Sequence, residues 1–262
     1  MNTIHPTAIV SPGARIAPNV EIGPFCLVGP NVKLDEGVRL ISHVCVEGHT
    51  HVGARTVIYP FASIGHRPQD LKYNGEPSRL VIGTDNTIRE YVTMQPGTAD
   101  GLMETRVGND CLFMVGVHVA HDCQVGNHVI MANYATLAGH VNVGDHAIIG
   151  GLVGIHQRAR IGHHAMIGGL SGVDGDVIPY GSVKGERAHL NGLNLVGLKR
   201  RGFQKEELDS LRKAYHMICE SEGTLAERLD NARKVYSHLP MVMDLIDFMG
   251  SDSSIGLCLP NV

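Results

Sequence analysis

The chain has no tryptophan, and aromatic residues make up only 5% of it. A core built on large rings is therefore excluded, and aliphatic side chains must supply it. Charge of one sign is not in excess. The 22 lysines and arginines against 26 acidic residues leave a formal net charge of −4, which gives no electrostatic reason to expect a nucleic acid or an anionic membrane as partner. No apolar run approaches membrane-spanning length, and no signal-peptide pattern opens the chain. None of the six cysteines stands in a CxxC pair, so the usual spacing of a thiolate metal or redox site is missing. Free thiols and a cytoplasmic protein are the expectation.

What is present is a period of six. Large apolar residues fall at Ile4, Val10, Ile16, Ile22, Val28, Leu34, Leu40, Val46, Val52, Ile58 and Ile64. The series resumes at Ile82, Ile88 and Met94, shifts by one residue, and runs from Val107 through Phe113, Val119 and Leu137 to Val173. Four residues after each lies a small or β-branched side chain, such as Val20, Cys26, Ala62, Cys111, Cys123, Ala135 and Ala165. Glycine often follows the large residue, as at Gly23, Gly53, Gly108, Gly126 and Gly144, and reads as the residue that permits a tight corner. Period six fits neither a helix nor a two-faced strand; it predicts a solenoid of stacked three-sided coils. Three hexads make an eighteen-residue coil, and about nine coils at roughly 4.8 Å would build a prism roughly 40 Å long. Cys26, Cys111 and Cys123 occupy the small inward column and read as buried thiols.

After about residue 190 the pattern changes. Leu208, Leu211, Tyr215 and Ile218 have helical spacing, Thr224 and Glu227 form a capping-box pattern, and Pro240 opens a third helix carrying Val242, Leu245, Ile246 and Met249. The expected organisation is thus a β-solenoid over 1–190 and a small α-helical domain over 191–262 that ends in a loose tail. Two stretches interrupt the repeats, 66–79 (HRPQDLKYNGEPSR) and 95–106 (QPGTADGLMETR), and should lie as loops on the surface.

Histidine is abundant, at 16 residues. His5, His49, His51, His128, His146, His163 and His164 follow corner positions and are expected to face solvent. His121 and Asp122 stand apart from these. Residues eighteen apart should stack, which puts Gly139 and then Gln157 above His121, and His140 and then Arg158 above Asp122. His118 and His156 fall near the same wall. A histidine suits general-base work near neutral pH, a neighbouring carboxylate could fix its tautomer, and a bare glycine N–H could face an oxyanion. The same residues also fit a ladder of polar side chains on a solvated face, and spacing alone does not separate the two.

The run HVAHDCQVGNHVIMANYATLAGHV (118–141), the loop QDLKYNGEPSR (69–79), IHQ (155–157) and NLVGLKRRGF (194–203) resemble the UDP-N-acetylglucosamine O-acyltransferases among the hexapeptide acyltransferases. The resemblance implies a left-handed parallel β-helix, where the general rule for parallel crossovers would give a right hand. It implies a cytoplasmic homotrimer with active sites in clefts between prisms. The reaction would move a 3-hydroxyacyl group from acyl carrier protein to the 3-hydroxyl of UDP-N-acetylglucosamine, the first step of lipid A synthesis, with no cofactor and no metal. His121 would be the general base, Asp122 its orienting partner and Gly139 the oxyanion donor. His118, His140, His156 and Gln157 would line the cleft. Asp70 and Lys72 would reach substrate from the adjacent subunit. Asn194, Arg200 and Arg201 would hold the nucleotide, for which planar, always-charged donors are suited. Gly169 would leave room for a long acyl chain, near C14. Basic residues on the helical domain, Lys205, Arg212 and Lys213 with the two arginines, are candidates for docking the acidic carrier protein.

The chain departs from the family pattern at Gln95-Pro96, where a histidine-arginine pair is usual, and at Val196, where an acidic residue is common. Gln95 still offers hydrogen bonds to the cleft. The departures leave room for a 3-amino sugar nucleotide that would give an amide. The rivals are the sister N-acyltransferase, which carries a further N-terminal domain where these repeats begin at Ile4; a trimeric zinc carbonic anhydrase, disfavoured because His118 and His121 are only three apart; and a non-catalytic solenoid.

Overall fold

A computed structural model describes residues 1–261. Among these, short strands, most of two residues, alternate with corners and form three sheets of eleven, nine and eight strands, parallel except for the last strand of the first, as the walls of a triangular prism. Partners lie one coil apart: Thr3 pairs with Glu21, Leu27 with Cys45, Lys33 with His51. The winding is left-handed. The two columns of the repeat fill the interior. Leu34, Ile58, Ile88, Phe113 and Leu137 are fully buried, as are Val32, Ala135, Ala147 and Ala165. Each large one contributes about 1.5–3 kcal/mol by leaving water. Ile4, at the open end with no coil below it, remains 45% exposed.

The corners are made differently from the sequence expectation. Gly23, Gly53, Gly108, Gly126 and Gly144 are not in the left-handed backbone region. They are needed because the next coil passes too close for a side chain: a Cβ on Gly53 would lie 2.5 Å from the Gly83 backbone. The left-handed residue is the third after the large apolar one, and it is usually not glycine. Phe25, His43, Asp122, His140 and Arg158 have φ of 57°, 50°, 60°, 63° and 69°. This turn aims those side chains outward along the prism edges, where they stack coil on coil. Phe25, His43, Phe61 and Tyr91 form one such ladder on the edge between the first and second walls, with ring centroids 4.9–5.2 Å apart. His128, His146, His164 and Tyr180 form another between the third and first walls, at 4.6, 4.7 and 5.8 Å.

That second ladder corrects the reading of the histidines. His5, His49 and His128 are exposed, but His51, His146, His163 and His164 are half-buried. His51 bonds Asp35 at 2.6 Å, and His163 bonds Asp244.

The prism closes with a hairpin. The strand Gly181–Lys184 pairs in parallel with Met166–Ile167 and antiparallel with His189–Leu193. Four helices follow: α1 (Leu195–Arg200), α2 (Lys205–Cys219), α3 (Leu225–Tyr236) and α4 (Pro240–Gly250). The capping box at Thr224 and Glu227 and the proline opening α4 are present as expected. α1 was not expected, because six residues are too few to show a helical period. The C-terminal tail is not loose over its described residues. Asp176 pairs with Leu257, the Leu190 N–H donates to the Leu259 carbonyl at 3.1 Å, and Cys258 is buried. The tail thus straps back onto the end of the prism.

Candidate active site

His121 and Asp122 sit at the edge where the second wall turns into the third. The sequence puts them two and three residues after the buried Val119, and the left-handed backbone at Asp122 bends the chain there. His121 Nδ1 lies 2.8 Å from Asp122 Oδ2. One coil above, a Cβ on Gly139 would lie 2.5 Å from His121 Cε1 and 2.6 Å from Nε2. The glycine therefore lets the imidazole lie against bare backbone, and the Gly139 N–H has no hydrogen-bond partner among the described residues. His140 meets the same imidazole edge-on, with centroids 5.1 Å apart.

Both interruptions of the repeat fold over this corner. From 95–106, the Thr98 N–H, the Thr98 hydroxyl and the Leu102 N–H donate to the Asp122 carboxylate at 3.1, 2.7 and 2.8 Å. Thr105 Oγ1 accepts the Asp122 N–H at 2.7 Å. Burial alone would raise the pKa of Asp122, but the bonds from Thr98, His121 and Leu102 outweigh it and hold the carboxyl below its ordinary range. A carboxylate so held accepts from Nδ1–H and leaves the Nε2 lone pair facing outward. Thr98, Thr105 and Gly101 were not singled out from the sequence. Gly101 must lack a side chain, since a Cβ there would lie 2.3 Å from the Asp122 carboxyl carbon.

From 66–79, Asp70 Oδ2 reaches to 3.9 Å from His121 Nε2. The hydrogen bond from the Lys72 N–H is the main cause holding the Asp70 carboxyl below its usual range. Within this chain the loop lies beside the histidine of the same chain. Lys72 faces Asp100 at 2.8 Å, tying the two loops. Gln95, expected to line the cleft, is only 6% exposed, and its side-chain oxygen accepts the Gln69 N–H at 3.1 Å.

His118 stands on the second wall, bonded to Thr93 Oγ1 at 2.7 Å, and burial lowers its pKa. Burial also lowers that of His140, against the opposing charge of Asp122. Both are held neutral at pH 7. Above His118 the outward column thins to Thr136, Gly154 and Gly172, and His156 and Arg187 border the resulting groove of about 600 Å³. His156 and Gln157 are exposed on the catalytic edge.

The remaining expected residues are elsewhere. Gly169 lies on the first–second edge. Asn194 caps α1 through the Gly197 N–H and donates to the His164 carbonyl at 3.0 Å, on the third–first edge. Arg201 donates to the His146 carbonyl on that same edge, and Arg200 is exposed beside it. One chain does not bring these groups to His121.

His121, Asp122 and His140 offer nitrogen and oxygen atoms within 4.8 Å of one another. They do not fit a metal, because two bonds on each Asp122 oxygen use the lone pairs a cation would need. Cys123 is no nucleophile: burial pushes its thiol up to about 12, and it faces the Ala138 carbonyl.

Residues 176–258 match the family model described as Udp N-acetylglucosamine O-acyltransferase, Domain 2, and residues 104–139 match Bacterial transferase hexapeptide (six repeats). The chain is 58% identical over 258 residues to an acyl-(acyl-carrier-protein)–UDP-N-acetylglucosamine O-acyltransferase of Caulobacter vibrioides, covering 98% of both. It is 54% identical over 257 residues to the protein of that name from Rickettsia canadensis, covering 98% of this chain and 97% of that one. A crystal structure of a UDP-N-acetylglucosamine acyltransferase is similar with a TM-score of 0.95 and 43% identity, covering 99% and 100% of the two chains. The Francisella novicida enzyme is similar with a TM-score of 0.95 and 35% identity, covering 99% and 94%. With identity of this order from end to end, helices included, the chain belongs to the UDP-N-acetylglucosamine O-acyltransferase family.

Proposed function

We propose that the protein transfers a 3-hydroxyacyl chain from acyl carrier protein to the 3-hydroxyl of UDP-N-acetylglucosamine, the first step of lipid A biosynthesis. The observation that carries the reading is the imidazole of His121, held by Asp122 at Nδ1 and lying against the bare Gly139 backbone. Nε2 removes the proton from the sugar hydroxyl as its oxygen attacks the thioester carbonyl. The Gly139 N–H faces the oxyanion that forms. Collapse of that intermediate expels the phosphopantetheine thiolate, which takes the proton back from the imidazolium. Asp122 stabilises that imidazolium, and the burial of His118 and His140 keeps further positive charge from opposing it. No enzyme ester forms and no cofactor takes part. The bare groove above His118 suits an extended chain.

Arg200, Arg201 and Asn194 lie on a different edge from His121, so a complete site needs a second copy of the chain, and we place the nucleotide between subunits of a homotrimer. The acyl carrier protein docks on the basic face of α1 and α2. No helix among the described residues is long and apolar enough to cross a membrane, and we assign the protein to the cytoplasm.

One observation favours a second reading, N-acylation of a 3-amino analogue. A hydroxyl has a single proton to give to Nε2, whereas an amine has another that the Asp70 carboxylate, 3.9 Å away, can accept. Mass spectrometry of product from equal amounts of the two sugar nucleotides decides between ester and amide. His121→Ala should lose on the order of 10²–10⁴ in turnover while staying folded. Activity within about tenfold of the parent would remove His121 from the mechanism.

A further inference from the structure

Gln95 stands where two separate parts of the site meet. It opens the second interruption, and its own backbone N–H is committed to the Val119 carbonyl at 3.1 Å, on the strand that leads to His121. Its neighbours Met94, Pro96, Gly97 and Thr98 are all buried, and Gln95 itself is 6% exposed. A side chain so buried offers little surface to a substrate. It has a neighbour instead: Oε1 accepts the N–H of Gln69 at 3.1 Å.

Gln69 immediately precedes Asp70. Pro68, before it, is buried and has no N–H, so after the Gly65 N–H the Gln69 amide is the next backbone donor that bonds to the prism among the described residues. Beyond Asp70 the loop is tied down mainly at its exposed side, by Lys72 to Asp100 at 2.8 Å and by the Ala99 N–H to Glu76 at 2.9 Å. Exposed ion pairs contribute little to holding a geometry, whereas a part-buried amide bond whose acceptor side chain is itself buried holds more firmly. The bond to Gln95 is therefore the near anchor that sets where the Asp70 carboxylate stands relative to Nε2. A separation of 3.9 Å is too long for a hydrogen bond, and one polar substrate atom standing off the line between the two groups can reach both. Such a gap tolerates displacement of well under an ångström.

We propose that Gln95 is a positioning residue for the acyl transfer, acting on the acceptor atom of the substrate only through Gln69 and Asp70. The proposal rests on the reading of His121 as the base. An amide suits the task because it does not titrate, so the anchor is independent of pH.

The test is a double-mutant cycle. Gln95→Met keeps the volume and removes the acceptor, Gln95→Glu keeps an acceptor oxygen, and Asp70→Asn removes the charge on which Gln95 is said to act. Turnover and KM are measured with UDP-N-acetylglucosamine and a 3-hydroxyacyl carrier protein, with thermal melts alongside. Gln95→Met should lower kcat on the order of tenfold to a hundredfold without lowering Tm in proportion, and Gln95→Glu should recover most of it. In the Asp70→Asn background, Gln95→Met should change kcat by less than about twofold. Losses that multiply in the double variant, or an Asp70→Asn variant as active as the parent, would overturn the proposal. Should Gln95→Met fail to fold, Gln95→Asn, which withdraws the amide by one methylene, gives the same comparison. A fully active His121→Ala variant would instead sink the general-base reading, so the two failures are distinguishable.

Discussion

The backbone of Gly139 lies against the ring of His121, so close that a single methyl group on it would stand 2.5 Å from Cε1. Two residues eighteen apart in sequence thus share one small volume, and a side chain added at Gly139 would displace the His121 ring. Gly139→Ala has an acceptable backbone angle and leaves the apolar columns untouched, so the protein should fold. The imidazole must rotate away and the oxyanion donor is crowded. Turnover should fall on the order of 10²–10³-fold with Tm nearly unchanged. A variant that retains parental kcat would show that neither group takes part in the reaction.

Asp122 has a structural task and a chemical one, and they can be read separately. Asn at this position turns an NH₂ toward the donors of Thr98 or Leu102, or withdraws an acceptor from Nδ1–H. A buried donor left without a partner costs about 1–3 kcal/mol. Asp122→Asn should therefore lower Tm as well as lowering kcat on the order of 10²–10⁴-fold, whereas His121→Ala should lower kcat alone. Equal melting temperatures for the two variants would contradict the role given to Thr98 and Leu102.

The separation of Arg201 from His121 on different edges predicts complementation. Subunits carrying His121→Ala and subunits carrying Arg201→Ala are each expected to form inactive trimers. Unfolded together and refolded at equal ratio, they should regain about one quarter of the parental activity, because that share of interfaces joins two intact halves. No recovery in verified mixed trimers would place the whole site within one chain.

The histidine ladder on the third–first edge predicts acid sensitivity. Burial is the largest cause lowering the pKa of His164, to about 4, and the neighbouring His146, His163 and Arg201 push in the same direction against Asp145. His146, stacked between His128 and His164, is lowered likewise by burial. In the unfolded chain a histidine takes its proton near pH 6.5. Between about 6.5 and 4 the unfolded state therefore binds more protons than the folded state, and stability falls as pH falls through that window. Above it the stability is fully present. His164→Phe keeps a ring in the stack and removes the titration, so its Tm difference between pH 7 and pH 5 should be smaller than the parent's. An equal or larger difference would show that the ladder does not govern acid unfolding.

Much of the prism was legible because each coil repeats one local environment. The period of six placed Leu34, Phe113 and Leu137 inside, and eighteen-residue spacing put His121, Gly139 and His140 on one edge. Thr224, Glu227 and Pro240 marked helix starts because capping chemistry is local. The corner glycines were found at their positions with the wrong reason attached. Their need comes from the next coil passing overhead, while the left-handed turn belongs to residues such as Asp122 and His140.

By itself, then, the sequence determined the winding repeat, the apolar columns and the stacking of the histidine under the glycine, because a periodic pattern makes neighbours in space predictable from neighbours in number. The tertiary structure alone decided what the aperiodic segments do. Thr98 reaches Asp122, Asp70 stands beside Nε2, Gln95 holds Gln69, and the tail straps the prism at Asp176, all through hydrogen bonds between stretches with no fixed spacing. It also distributed the expected site residues over three edges, since the edge on which a residue falls depends on how insertions and helices count through the coils, not on its chemical type.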